Sequence, residues 1–384
     1  MLKSESRCWA EIDVRKIKHN VEEIHKMIPD TTKIMGIVKA NGYGHGDVEI
    51  AQELMACGVD FFGVSSVDEA LVLRVHGIQT NILILGYTPS MHFHYLKEHN
   101  LIQTLISYEY AQKLEAYAST EQITIRTHIK VDTGMSRRGV QCKEERWDIE
   151  EIKQMYQFEH LQVEGIFSHF SVSDGLDKED DIVFTTNQIK LYDRVLKELK
   201  DSGIQPGLTH IQNSYGIINY PELHYDYVRP GLLYLGVTSD DAVKTNQHPD
   251  FQPIMTWKAN VTYVKTIEKG SCVSYGRHFT ATKPMRIATI SCGYADGYPR
   301  IVSNLNKEVL LHGQRAKIIG NVCMDQMMID VSHIEDVREG DDVVLFGYDG
   351  DVLLSVDELS RKCHTINNET LCWVSSRVPR LYKK

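Results

Sequence analysis

The apolar run Ile34-Met35-Gly36-Ile37-Val38 ends at Lys39, and Gly42, Gly44 and Gly46 follow closely, with Tyr43 and His45 between them. Lysine is seldom buried without a partner. At the exit of a core strand its amine either reaches water or does chemistry. A desolvated amine has a lowered pKa and can form a Schiff base. Similar groups recur along the chain: Lys130, Asp132 and Arg137 in one segment, Ser168 and His169 in the next, then His210, Asn213 and Ser214, then Arg229 ahead of Pro230-Gly231-Leu232. Three further stretches carry Tyr275, Tyr294 and Cys323-Met324-Asp325. Each has an ordinary reading. Lys130 taken singly is a surface strand lysine, His169 a core histidine, Ser214 a helix cap and Cys323 a packed thiol. His45 anchors its own loop. The functional reading rests on how many of these groups fall at strand exits.

The elements that must position them alternate. Strands are predicted at the Lys39 run, Phe61–Ser65, Ile82–Gly86, Leu101–Ser107, Ile123–Asp132, Val163–His169, Leu208–Asn213 and Tyr227–Gly236. Helical spacing separates most of them, as at Val48–Met55, Val67–Val75 and Asp181–Leu199. Eight strands alternating with helices predict a (β/α)8 TIM barrel, whose reactive groups sit at the C-terminal strand ends. An open doubly wound sheet is disfavoured because no GxGxxG turn opens a βαβ unit. Before the barrel, Trp9–Asp13 reads as a short strand, with Asp13 capping the helical segment after it. A polar linker over Ser239–Asp250 leads into strand periodicity at Met255–Thr266, Met285–Ser291, Val309–Ile319, Met327–Val331 and Val343–Phe346, with one helix at Val356–Cys363. The expected organisation is therefore a barrel over 1–243 and a mainly β-stranded C-terminal domain over 244–384, with 1–13 packing against the latter.

Bulk properties narrow the class. A chain of 384 residues with 42% hydrophobic and 24% charged residues is an ordinary globular protein, long enough for two cores. Its net charge of -10 disfavours nucleic acid or an anionic membrane surface as partner. Eight cysteines without a CxxC pair suggest a reducing, cytoplasmic setting and neither a disulfide frame nor a metal site. No apolar run is long enough to span a membrane, and Met1-Leu2-Lys3-Ser4-Glu5 does not read as a signal peptide.

The stretches Val38–Gly46, Lys130–Met135, Val228–Gly231, Val273–Gly276, Gly293–Tyr298 and Cys323–Asp325 together resemble the alanine racemases of the pyridoxal 5'-phosphate barrel type, over nearly the whole chain. The resemblance implies that Lys39 holds the cofactor covalently and acts as acid and base on one face of a small amino-acid substrate. Tyr275 from the partner subunit of a homodimer would serve the other face, supported through His169 and Arg229. Arg229 would also face the cofactor's ring nitrogen. Tyr43, Ser214, Asn213 and the backbone of Gly231 and Leu232 would hold the phosphate. Arg137 and Met324, flanked by Cys323 and Asp325, would take the substrate carboxylate, with Lys130, carbamylated in many relatives, positioning Arg137. Tyr294 of the partner would narrow the entry.

One departure is informative. In Thr365-Ile366-Asn367-Asn368-Glu369, Asn368 stands where these enzymes usually carry tyrosine beside the phosphate and the substrate side chain. An amide both donates and accepts, so the change offers room and a partner to a hydroxymethyl group. That combination resembles the serine racemases of glycopeptide-resistance systems, whose catalytic module follows a membrane domain. The expectation is a racemase of serine, and of alanine, located in the cytoplasm or on the cytoplasmic side of a membrane-anchored protein. The alternatives are a strict alanine racemase serving the cell wall, a non-catalytic barrel that only binds the cofactor, and a decarboxylase on a similar frame. Smaller departures are Ser136, where glycine is commoner, and Leu235, where tyrosine is.

Overall fold

The computed structural model describes residues 6–384. Residues 1–5, on which the reading of the N-terminus rests, lie outside the described residues. The barrel is a parallel sheet running through Phe61–Val64, Asn81–Ile84, Ile102–Leu105, Ile125–Asp132, Leu161–Phe167, Leu208–His210 and Tyr227–Val228. Its first strand is split at Met35. Lys33–Ile34 pairs with Tyr227–Val228, and Gly36–Ile37 pairs with Phe61–Val64, so the two halves close the sheet on itself. The strands are buried apolar runs, as a sheet covered on both faces requires, with Phe61, Phe62, Ile82, Leu83, Ile129 and Ile166 fully buried. The long helix Glu179–Asp201 shows why a periodic sequence docks. Gln188, Leu191, Tyr192, Val195 and Leu199 recur every three or four residues and make its buried face.

A second, nine-stranded sheet holds the C-terminal strands together with Cys8–Asp13, which pairs antiparallel with Met255–Ile267 and parallel with Arg380–Lys383. The N-terminal and C-terminal segments are thus neighbours, and the C-terminal one reaches the barrel mouth. Arg380 Nε donates to the Gly44 carbonyl at 2.9 Å, and Tyr382 Oη to the His45 carbonyl at 3.0 Å. Among the described residues no helix is long and apolar enough to cross a membrane.

Four local expectations need correcting. Asp13 caps no helix: its carboxylate is taken by Arg15, and the helix Lys16–Met27 starts without a side-chain cap. The run Val309–Ile319 is a hairpin, Glu308–Leu311 with Gln314–Ile319. His312 and Gly313 both take positive φ (52° and 70°), the twist that a tight two-residue turn demands. The strand at Tyr227 ends at Val228, because Pro230 has no N–H for the ladder, and a 3-10 turn over Leu233–Leu235 follows. Asn213, not Ser214, caps the helix after the seventh strand; its Oδ1 accepts from Gly216 N at 2.9 Å.

Candidate active site

At the C-terminal mouth of the barrel lies a cavity of about 650 Å³. Its walls include Lys39, Tyr43, Lys130, Arg137, Arg138, His169, Asn213, Ser214, Arg229, Gly231, Leu232 and Asn368. Five of these are cations, and no carboxylate stands among the described lining residues of a chain whose net charge is -10. A concave wall of that sign concentrates anions.

Lys39 leaves the first strand into an unusual turn. Ala40, Asn41, Gly42 and Tyr43 all take left-handed φ values, 53°, 55°, 58° and 52°. For the three that are not glycine this costs roughly 3–6 kcal/mol in isolation, so the turn exists only because its surroundings hold it. His45, buried, binds the Tyr43 carbonyl through Nδ1 at 2.9 Å, as a loop anchor should. Burial pushes its pKa down to about 4, so the ring is neutral. Gly44 accommodates the Leu371 carbonyl, which a Cβ would meet at 2.3 Å. Burial, and then the charge of Arg137, lowers the Lys39 amine from its ordinary range.

Arg229 organises the barrel floor. Its guanidinium is buried and donates to His210 Nδ1 (2.5 Å), His169 Nδ1 (3.0 Å) and the carbonyls of Ser168 (2.8 Å) and Ile211 (2.9 Å). His210 is in turn 3.0 Å from His128 through Nε2 and Nδ1. Burial first, and then Arg229, holds His169 and His210 well below the ordinary histidine range. A guanidinium only donates, so His169 must accept at Nδ1 and carry its proton on Nε2.

Two further cations border this floor. Lys130, 7% exposed, donates to the Val131 carbonyl at 2.6 Å and lies over the Phe167 ring; burial pulls its amine down to about 7. Asp132 folds the next loop by accepting from the backbone N–H of Gly134 and Ser136, at 3.1 and 2.9 Å, which delivers Arg137 to the cavity. Ser136 sits at φ 57°, a conformation glycine adopts freely, which accounts for glycine being commoner there.

A seat for an anion lies opposite. The Tyr43 hydroxyl, Ser214 Oγ and the Gly231 N–H converge, with Gly231 N 3.2 Å from Ser214 Oγ. A Cβ on Gly231 would lie 2.4 Å from Tyr43 Oη, so only glycine leaves this cradle open. Asn213 lines the wall, but its Oδ1 is engaged by Gly216 N and Ser173 Oγ. Asn368, on the short helix Asn367–Trp373, also lines the cavity, and its Oδ1 is buried with no hydrogen-bond partner.

The second-domain candidates gather elsewhere. The turn bearing Tyr275 is pinned by Ser274 Oγ to the Asn321 carbonyl (2.6 Å) and by Asn321 Nδ2 to the Tyr275 carbonyl (2.7 Å). Tyr294 N bonds the Cys323 carbonyl at 3.0 Å, and Cys323 Sγ lies 3.4 Å from Ser274 Oγ. Gly293 lets the chains approach, since a Cβ would meet the Cys323 and Met324 carbonyls at 2.3 and 2.4 Å. Asp325 pairs with Arg377 at 2.8 Å. Tyr275 is 72% exposed, Met324 53% and Tyr294 42%, and none lines the Lys39 cavity of its own chain. Lining residues missed in the sequence, Ser65 and Gly86 among them, follow the second and third strands, and inspecting every strand exit would have found them.

Comparison with known proteins agrees with this anatomy. The family model described as alanine racemase, N-terminal domain, matches residues 12–239, and that for the alanine racemase C-terminal domain matches 254–382. An amino-acid racemase of Enterococcus faecalis is 43% identical over 97% of this chain, which spans 51% of that longer protein. Alanine racemase 1 of Clostridium acetobutylicum is 40% identical over 98% of this chain and 95% of its own length. Among solved structures, an alanine racemase of Clostridium difficile superposes with a TM-score of 0.91 at 35% identity, covering 99% of this chain and 97% of that one. A two-domain barrel enzyme with its lysine at the first strand exit, matched at this identity across both halves, belongs to the alanine racemase family.

Proposed function

We propose that this chain is a pyridoxal 5'-phosphate-dependent racemase whose first substrate is alanine, working as a homodimer. The observation that carries the reading is the convergence of Lys39, His169, Arg229 and Arg137 beside the Gly231 cradle in one cationic cavity. The donor set fits the cofactor. Tyr43 Oη, Ser214 Oγ and the Gly231 and Leu232 amides suit a phosphate, and Lys39 supplies the amine. When bound, the cofactor supplies an electron sink for the substrate α-carbon, moderated because Arg229 can only donate to its ring nitrogen.

The chain's own groups would do the rest. Lys39 Nζ, desolvated and beside Arg137, is poised to take or return a proton on one face. Tyr275 of the partner subunit would serve the other face, and the His169 Nε2–H is the donor available to stabilise its phenolate. Arg137 would hold the substrate carboxylate, with Met324 and Tyr294 of the partner subunit closing the entry. The high exposure of Tyr275, Met324 and Tyr294 in one chain supports this division of labour. Lys130, with its amine near neutrality, is suited to carbamylation.

Asn368 in the sequence points to serine as the first substrate. Alanine takes its place, supported by relatives of about 40% identity that bear the name alanine racemase. Serine is kept as a second substrate on one observation: Asn368 lines the cavity and its buried Oδ1 has no partner, so a rotation of the side chain would offer that oxygen to a substrate hydroxyl. Chiral chromatography of each L-amino acid incubated with enzyme and added cofactor tests the proposal. D-alanine should form fastest and D-serine more slowly. Cofactor binding without production of any D-enantiomer would overturn it, and release of CO₂ would reassign the reaction to decarboxylation.

A further inference from the structure

The left-handed turn after Lys39 is held at its far end by His45 and by Arg380 and Tyr382 of the second domain. At the Lys39 end the hold comes from the second barrel helix. The Ala40 N–H, the backbone donor next after Lys39, points at Glu69 Oε1 at 2.7 Å. The other carboxylate oxygen accepts from Ser65 N at 2.7 Å and from Ser65 Oγ at 2.9 Å. Ser65 directly follows the strand Phe61–Val64, so a single carboxylate ties the exits of strands one and two together. Lys39 and Ser65 both line the cavity, whereas Glu69 stands behind them on the helix Val67–Val75, in the first turn capped by Ser66.

We propose that Glu69 is a positioning residue for Lys39, its carboxylate clamping the Ala40 amide so that the strained turn keeps the Lys39 amine aimed into the cavity. The geometry carries this. Ala40 has no side chain that could hold its own backbone, its φ of 53° is one that alanine avoids, and the Glu69 bond is short and charge-assisted. Electrostatics adds a second, separable effect. The groups that act on the Lys39 amine are Arg137 and Arg229, which disfavour its charge, and Glu69 and Cys372, which favour it. Glu69 is the carboxylate among them.

The inference rests on Lys39 being the working amine, and the test separates the two claims. Full-length wild type, Glu69→Gln, Glu69→Asp and, as a matched charge control on the same helix, Asp68→Asn are compared. With cofactor and alanine, Glu69→Gln turns one acceptor into an N–H facing a backbone N–H. It should lower kcat by about 10- to 100-fold, the effect of a small misplacement of a reacting group, with KM little changed. In the cofactor-free proteins, modification of Lys39 by trinitrobenzenesulfonate is followed against pH and located by peptide mass mapping. Its midpoint should move to lower pH in Glu69→Gln, since a neighbouring negative charge is lost. Glu69→Asp keeps the charge but is too short to span both amides, so kcat should fall with the midpoint unmoved. Asp68→Asn should match wild type in both readouts. Wild-type kcat and midpoint in Glu69→Gln, or an equal shift in Asp68→Asn, overturns the inference. A wild type that racemises nothing counts against the proposed reaction, and the labelling midpoints still decide the role of Glu69.

Discussion

Replacing Asn368 by leucine keeps the branched shape of the side chain in a bulkier, apolar form and removes both of its polar ends. In the native protein its Oδ1 is buried and unpartnered, a state that costs about 1–3 kcal/mol. Alanine has nothing to offer that oxygen, whereas a serine hydroxyl can donate to it once the Asn368 side chain turns toward the cavity. A hydrogen bond of this kind contributes a net ~0.5–1.5 kcal/mol. At 1.4 kcal/mol per factor of ten, the serine-to-alanine ratio of kcat/KM should fall by about 2- to 10-fold in Asn368→Leu. Asn368→Tyr also fills the space a hydroxymethyl group would occupy and should lower the ratio further, while alanine turnover survives. The assay is kcat/KM for both enantiomers of both amino acids. A racemase must give equal values in the two directions for one amino acid, which checks the data internally. If neither variant changes the ratio, Asn368 does not read the substrate, and its orphan oxygen has no part in specificity.

Separately inactive Lys39→Ala and Tyr275→Phe dimers, dissociated and mixed, should recover about a quarter of wild-type activity. Random re-association makes half the dimers mixed, and each mixed dimer holds one intact site. No recovery would mean that Tyr275 serves its own chain. Gly231→Ala places a Cβ against Tyr43 Oη and closes the phosphate cradle. Loss of one hydrogen bond to a charged group, about 1.5–3 kcal/mol, should weaken cofactor binding roughly 10- to 100-fold by absorbance titration, and unchanged affinity would remove Gly231 from the site. Burial lowers His45 from 6.5 to about 4. The unfolded chain therefore binds this proton first, and stability should fall as the pH drops from about 6.5 to about 4 and then level off. The contribution is on the order of 3 kcal/mol. Thermal melts of wild type and His45→Gln should show a shallower acid slope in the variant, and identical slopes would argue against a neutral buried imidazole.

Much of this protein is written locally. The alternation of apolar runs with helical spacing determined the (β/α)8 barrel, because strands buried on both faces must be apolar throughout and helices need a repeating buried stripe. The switch to strand periodicity beyond residue 250 determined the second sheet. Lys39, Lys130, His169 and Arg229 were legible as strand-exit groups, and the family resemblance supplied their roles. Other features depend on partners far away in the chain. Nothing local announces that Ala40, Asn41 and Tyr43 turn left-handed. Glu69, Arg380 and Tyr382 hold that turn from 29 to more than 330 residues away. Two misses were local instead: Asn213 accepts from Gly216 N three residues on and so caps the helix in place of Ser214, and Arg15 takes the Asp13 carboxylate two residues on. The family resemblance assigns Tyr275 and Tyr294 to the partner's site, and the fold keeps both, with Met324, outside the cavity of their own chain. The sequence by itself determined which groups are present and which elements carry them. Tertiary structure decided which of them meet, because hydrogen bonds across long loops set the turns, and those turns aim the side chains.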